Sequence, residues 1–178
     1  MNLKYNFIIL SIFFLSQGAK GAENLYLYKG TFNRNIKVEE LHKFKVTKRP
    51  SNKLKNLLKI TNQKEKEFLE ILSLKIDVPL KTSSKLMNSR IGEIFLGRIS
   101  KIIHPNKISN QELSIKAIRS GIILSSYKNN ERINFIDFLN EYPNKNIAID
   151  LEALTKALKK VDSLKELIDF YSNSPFQK

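Results

Sequence analysis

Residues 133–158, "INFIDFLNEYPNKNIAIDLEALTKAL", change period twice within 26 residues. Helix-like spacing gives way to Ile147-Ala148-Ile149 and returns after Asp150. A strand of three residues cannot stand alone. In a chain otherwise patterned as helices, it must be stitched to a partner far away in sequence. The other strand-like segments lie near the N-terminus. Leu25-Tyr26-Leu27-Tyr28 is aromatic and apolar, Gly30 permits a turn, and Ile36 and Val38 alternate with Asn35, Lys37 and Glu39. The expected fold is therefore mainly α with a small β-sheet (α+β). It is a multi-helix domain whose N-terminal β-hairpin is joined by a short strand near residues 146–149, giving three strands packed against helices.

The helices are marked by their ends. Glu39 and Glu40 suit a helix start, with Leu41 and Phe44 facing inward. Pro50 breaks this helix and Ser51 caps the next, through Lys59. Thr61 or Asn62 is expected to cap a third, with Phe68, Leu69, Leu72 and Ile76 as its buried stripe. A short helix follows around Leu80–Met87. Ser89 caps a longer one carrying Ile91, Phe95, Ile99, Ile102 and Ile103 on one side. Ser109 and Glu112 fit a capping box for a helix to about Tyr127. That helix has apolar residues on more than one side, Leu113 and Leu124 included, and is expected to be central. Its Ala117, Gly121 and Ser125 recur every four residues and let another helix approach closely. Phe135 to Leu139 make a short helix that Pro143 stops. Asp150 caps the last, with Leu151, Leu154, Leu158 and Val161 inward; Ser163 and Glu166 fit a further capping box.

The first residues read as a secretory signal peptide. Lys4 supplies the positive charge, Phe7 to Leu15 the apolar core, and Ala19-Lys20-Gly21 a small-residue cleavage site. The apolar core is too short to span a bilayer, which needs about 20 apolar residues. The expected organisation is residues 1–21 as signal peptide and residues 22–178 as a single helical domain. The expected destination is the periplasm, a thylakoid lumen or the outside of the cell. No cysteine occurs, so the exported domain is held without disulfides and has no thiolate chemistry.

The formal net charge is +14, of which the signal takes Lys4 and Lys20. The chain has 25 Lys against 6 Arg, with 18 Asn and 22 Ile. Lys, Asn and Ile share A/T-rich codons, so genome composition explains much of the charge. Scarce arginine speaks against nucleic acid as a partner, because bidentate phosphate contacts use arginine. The charge is nonetheless concentrated: from His42 to Lys64 no acidic residue appears. Lys43, Lys45, Lys48, Arg49, Lys53, Lys55 and Lys59 are the candidate contacts to an anionic surface, against the plainer reading of a solvated helix face.

Three patterns in order carry a resemblance: "YKGTFNRNIKVEELHKF" (28–44), "IDVPLKTSSKLMNSRIGEIFLGRI" (76–99), and the opening segment with its L-x-x-Y-P helix end and I-x-I-D strand and cap. Together they resemble a cyanobacterial domain family labelled "alpha/beta hydrolase of unknown function". The match covers roughly residues 22–162. In longer members this helical region, after a signal peptide, precedes an alpha/beta-hydrolase domain; here that domain is expected to be absent. Gly30, Gly92, Glu93, Pro143 and Asp150 belong to the shared motifs and are expected to be structural. Arg90 departs from a frequent proline.

No residue stands out as catalytic. The strained G-x-S-x-G elbow of such hydrolases does not occur. His42 lies in the basic helix, and His104, beside Pro105, is expected to face the carbonyls of a helix end. Two isolated histidines without cysteine make no zinc site, and no P-loop, EF-hand or G-x-G-x-x-G appears, so no cofactor or metal is expected. The leading expectation is an exported, non-catalytic accessory domain binding a protein partner or a lipid-like ligand. The alternatives are part of a split or atypical esterase-like hydrolase, or a basic protein contacting anionic membrane.

Overall fold

The computed structural model describes residues 21–108 and 110–158. The expected signal segment up to residue 20, Ser109, the side chain of Leu158, Val161 and the Ser163–Glu166 box lie outside the described residues. In chain order the elements are β1 (Asn24–Lys29), β2 (Phe32–Lys37), α1 (Val38–Thr47), α2 (Asn52–Ile60), α3 (Glu65–Ser73), β3 (Ile76–Asp77), α4 (Leu80–Met87), α5 (Arg90–Ile99), β4 (Ile103–Pro105), α6 (Gln111–Lys128), β5 (Arg132–Ile133), α7 (Phe135–Glu141), β6 (Asn146–Asp150) and α8 (Leu151–Leu158). The architecture is α+β, with helices around a small mixed sheet.

The strand near residue 147 finds its partner where the pattern placed it. β6 pairs with β1, from Asn24 opposite Asn146 to Tyr28 opposite Asp150. The pairing is parallel, so everything from α1 to α7 forms one long crossover between the two strands. β1 and β2 form the expected hairpin, with Gly30 at φ 57° in the turn, where a side chain would be strained. The expected three strands are four, in the order β2-β1-β6-β4. β4 pairs antiparallel to β6, Ile103 opposite Ile149, and closes its second edge. With neighbours on both sides and both faces covered, Ile147, Ala148 and Ile149 are all buried, which explains an unbroken apolar run instead of alternation. A second, two-stranded ladder joins Ile76 to Ile133.

These pairings correct several helix assignments. Val38 opens α1, its amide donating to the Glu23 carbonyl, instead of ending β2. Ile76 and Ile103 sit on strands, because α3 stops at Ser73 and α5 at Ile99. The fully buried residues of α5 are Gly92 and Leu96; Phe95 and Ile99 pack partly buried against the core, while Ile91 is half exposed. His104 lies on β4, not at a helix end; its Nδ1 is 3.1 Å from the Pro105 carbonyl oxygen. Thr61 does not cap α3. Its hydroxyl donates back to the Leu57 carbonyl at the end of α2, and Lys64 precedes α3 without a side-chain cap.

Other ends are as read. The Ser51 hydroxyl accepts from Leu54 N–H, Ser89 from Gly92 N–H, and Asp150 from Ala153 N–H. α6 departs from the reading: its cap is Asn110, one residue after the expected Ser109, and the Asn110 side chain accepts from Leu113 N–H. A capping box between Asn134 and Asp137 starts α7.

α6 is central, packed on α4, α5, α7, β4 and β5. Its small-residue stripe meets α7, and a Cβ at Gly121 would lie 2.9 Å from the Phe138 ring. Phe135, Phe138 and Tyr142 continue as an aromatic run. Tyr142 is fully buried, and its hydroxyl has no hydrogen-bond partner among the described residues. Burial pushes its pKa well above the ordinary 10.0. A raised folded-state pKa gives stability that is present below pH 10 and lost as pH rises beyond it. Tyr142→Phe removes both the orphaned hydroxyl and this alkaline loss. The variant should be about 1 kcal/mol more stable at neutral pH, with a gap that widens above pH 10 in urea titrations.

Candidate functional site

The basic run folds into a corner built by α1, the turn after it, and α2. Leu54, Leu57 and Leu58 turn inward, so Lys53, Lys55 and Lys59 are left exposed on the outer side of α2. Lys43 is held by Glu39 at 2.7 Å, which lowers the Glu39 pKa and raises that of Lys43, chiefly through their hydrogen bond. Lys48 takes the left-handed conformation after α1, at φ 60°, and its Nζ donates to the Lys45 carbonyl. Ser51 ties the turn to α1 by donating to Glu40 Oε2 at 2.6 Å. Lys45 is half buried, and Arg49 is exposed.

The motif residues do not converge on one place. Gly30 is at the hairpin turn and Asp150 caps α8. Gly92 presses on the Leu86 carbonyl, where only a hydrogen fits. Glu93 lies 3.5 Å from Arg119 Nη2, and Arg119 Nε donates to the Met87 carbonyl, so this pair fastens α5 and the end of α4 to α6. Pro143 is different, because it borders a surface groove.

That groove has a volume of about 390 Å3. Pro105 from β4, Ile108 after it, Leu113 and Ala117 from α6, and Pro143 after α7 give it apolar walls, with Lys116, Ser120 and Asn144 at its rim. Leu113 is 48% exposed there and Ile108 37%. The sequence pattern, apolar on more than one side, leads to a helix well buried all round; Leu113, on the exposed side of α6, corrects that for one face. A larger and more polar groove, about 590 Å3, lies between the start of β1, the β2–α1 junction and Asn140; His42 and Glu39 border it. Glu39 there is engaged by Lys43. Among the described residues neither histidine ring is within hydrogen-bond distance of a serine hydroxyl or a carboxylate, and no cluster of three metal-ligating side chains occurs.

A family model described as "Alpha/beta hydrolase of unknown function (DUF1400)" matches residues 21–150, most of the chain. Comparison with curated proteins and with solved structures found no significant match.

Proposed function

The chain belongs to the family of alpha/beta hydrolases of unknown function, and from that premise we propose that it is an exported, non-catalytic binding module of this hydrolase-related family. Its ligand is an apolar, lipid-like small molecule held in the groove of Pro105, Ile108, Leu113, Ala117 and Pro143. The groove carries the reading. Its volume falls in the range of small-molecule sites, roughly 300–1,000 Å3, and such sites combine apolar walls with a few polar groups. It also contains a motif residue, Pro143, which stops α7 and so shapes one wall. Export rests on the N-terminal pattern of Lys4, the apolar run from Phe7 to Leu15, and Ala19-Lys20-Gly21.

Native mass spectrometry of the chain purified from its own cell envelope tests this. The expected spectrum contains a non-covalent adduct with the mass of an apolar small molecule. Leu113→Asp places a charge on the groove wall and should abolish the adduct while leaving the melting temperature unchanged, because the side chain is half exposed. Recovery of only the bare chain, or of a protein partner in place of a small molecule, contradicts the ligand assignment.

A further inference from the structure

We propose that the corner formed by α2 and the α1–α2 turn is a docking surface for an anionic lipid bilayer. Composition bias accounts for the number of lysines. It does not account for how they are arranged. On α1, α6 and α8 an exposed lysine sits four residues from a glutamate that holds it: Lys43 with Glu39, Lys116 with Glu112, Lys156 with Glu152. α2 has no acidic residue at all. Among the described residues Lys53, Lys55 and Lys59 form no ion pair, and neither do Lys48 and Arg49 in the turn that leads into the helix. Five cations are therefore offered to solvent by one short stretch of surface, with Glu40 the acid that reaches the turn, through Ser51.

Apolar side chains accompany these charges. Val46 is 67% exposed in the last turn of α1, and Ile60 is 47% exposed at the end of α2. Lysines beside exposed apolar side chains suit the boundary between headgroups and acyl chains. The cations favour a membrane over a nucleic acid. Four of the five are lysines, compact point charges that suit a diffuse anionic surface, and Arg49 alone offers the planar fork that reads base edges and grips phosphates bidentately. No helix among the described residues is long and apolar enough to cross a membrane, so contact through them is peripheral. This surface uses none of the groove residues, and it stands whether or not the groove is occupied.

Vesicle co-sedimentation of the exported chain tests the proposal, using phosphatidylcholine vesicles with and without phosphatidylglycerol. Binding is expected only to the anionic vesicles and should fall steeply with salt, because exposed charges are screened within about 10 Å at 0.1 M ionic strength. Each basic residue near an anionic leaflet contributes about fivefold in affinity, so K53Q/K55Q/K59Q should bind about 100-fold more weakly. The control K75Q/K81Q/K85Q removes three exposed lysines elsewhere that form no ion pair among the described residues, and should lose far less. Equal loss in both triple variants would reduce the effect to net charge and overturn the proposal. Binding to neutral vesicles, binding that salt does not weaken, or a preference for duplex DNA over the vesicles would also overturn it.

Discussion

Gly92→Ala should lower the melting temperature by about 10 °C, the equivalent of about 3 kcal/mol for a domain of this size. The cause is local and severe. A Cβ at position 92 would lie 1.9 Å from the Leu86 carbonyl oxygen and 2.9 Å from the Met87 Cα. Both are backbone atoms at the end of α4, and neither can rotate out of the way. The same junction is fixed by Ser89, whose hydroxyl donates to the Leu86 carbonyl at 2.7 Å and accepts from Gly92 N–H at 3.1 Å. Relieving the clash means separating α4 from α5 and exposing Leu86, which is fully buried. Gly97, one and a half turns along α5, gives the opposite sign. Its Cβ would meet Gln111 Nε2 at 3.5 Å and the Ile115 Cδ1 at 3.9 Å, ordinary contacts. Gly97→Ala should therefore gain about 0.5–1 kcal/mol from helix propensity. Circular-dichroism melts of the two variants decide the matter; a neutral Gly92→Ala would mean that α4 and α5 do not meet this way.

Ile147→Ala should cost about 3 kcal/mol, seen as a lower urea midpoint at unchanged slope. Ile147 has no exposed surface and lies in β6 between Leu25 of β1 and Pro105 of β4. Truncation there leaves a cavity in the strand that ties the segment before α8 to the N-terminal hairpin. No disulfide shares that task, since the chain has no cysteine. Ile94→Ala, at a position 55% exposed on α5, removes the same atoms from the surface and should change stability by less than about 0.5 kcal/mol. Equal effects at both positions would mean that β6 is not at the centre of the sheet.

The features legible in the sequence are those with local chemistry. Ser51, Ser89 and Asp150 could be read as caps because a cap needs only its own next turn. The spacing of Ala117, Gly121 and Ser125 announced a close helix approach, and Phe138 occupies it. The pairing of β6 with the N-terminal hairpin followed from elimination, since a short apolar strand had few partners. Elimination failed for β4 and for the β3–β5 ladder. Two or three residues do not establish a period, and Ile76 and Ile103 continue the helical spacing of the segments before them. Leu113 was misplaced for a related reason: α6 has apolar residues around its whole circumference, so the pattern does not say which side is wet. The groove beside it draws its walls from β4, α6 and the loop after α7, segments far apart in sequence. The basic corner was visible as a run of residues. The Glu39–Lys43 pair and the lack of acids in α2 could be read from spacing; that no acid distant in sequence folds against Lys53, Lys55 or Lys59 among the described residues became visible only in three dimensions.

Binding without turnover is tested most directly by an ester-hydrolysis assay of residues 22–178 across short and long acyl esters. The proposal predicts rates equal to buffer alone, with His42→Ala and His104→Ala indistinguishable from the parent. Hydrolysis above that background, abolished by changing either histidine or a single serine, would contradict it.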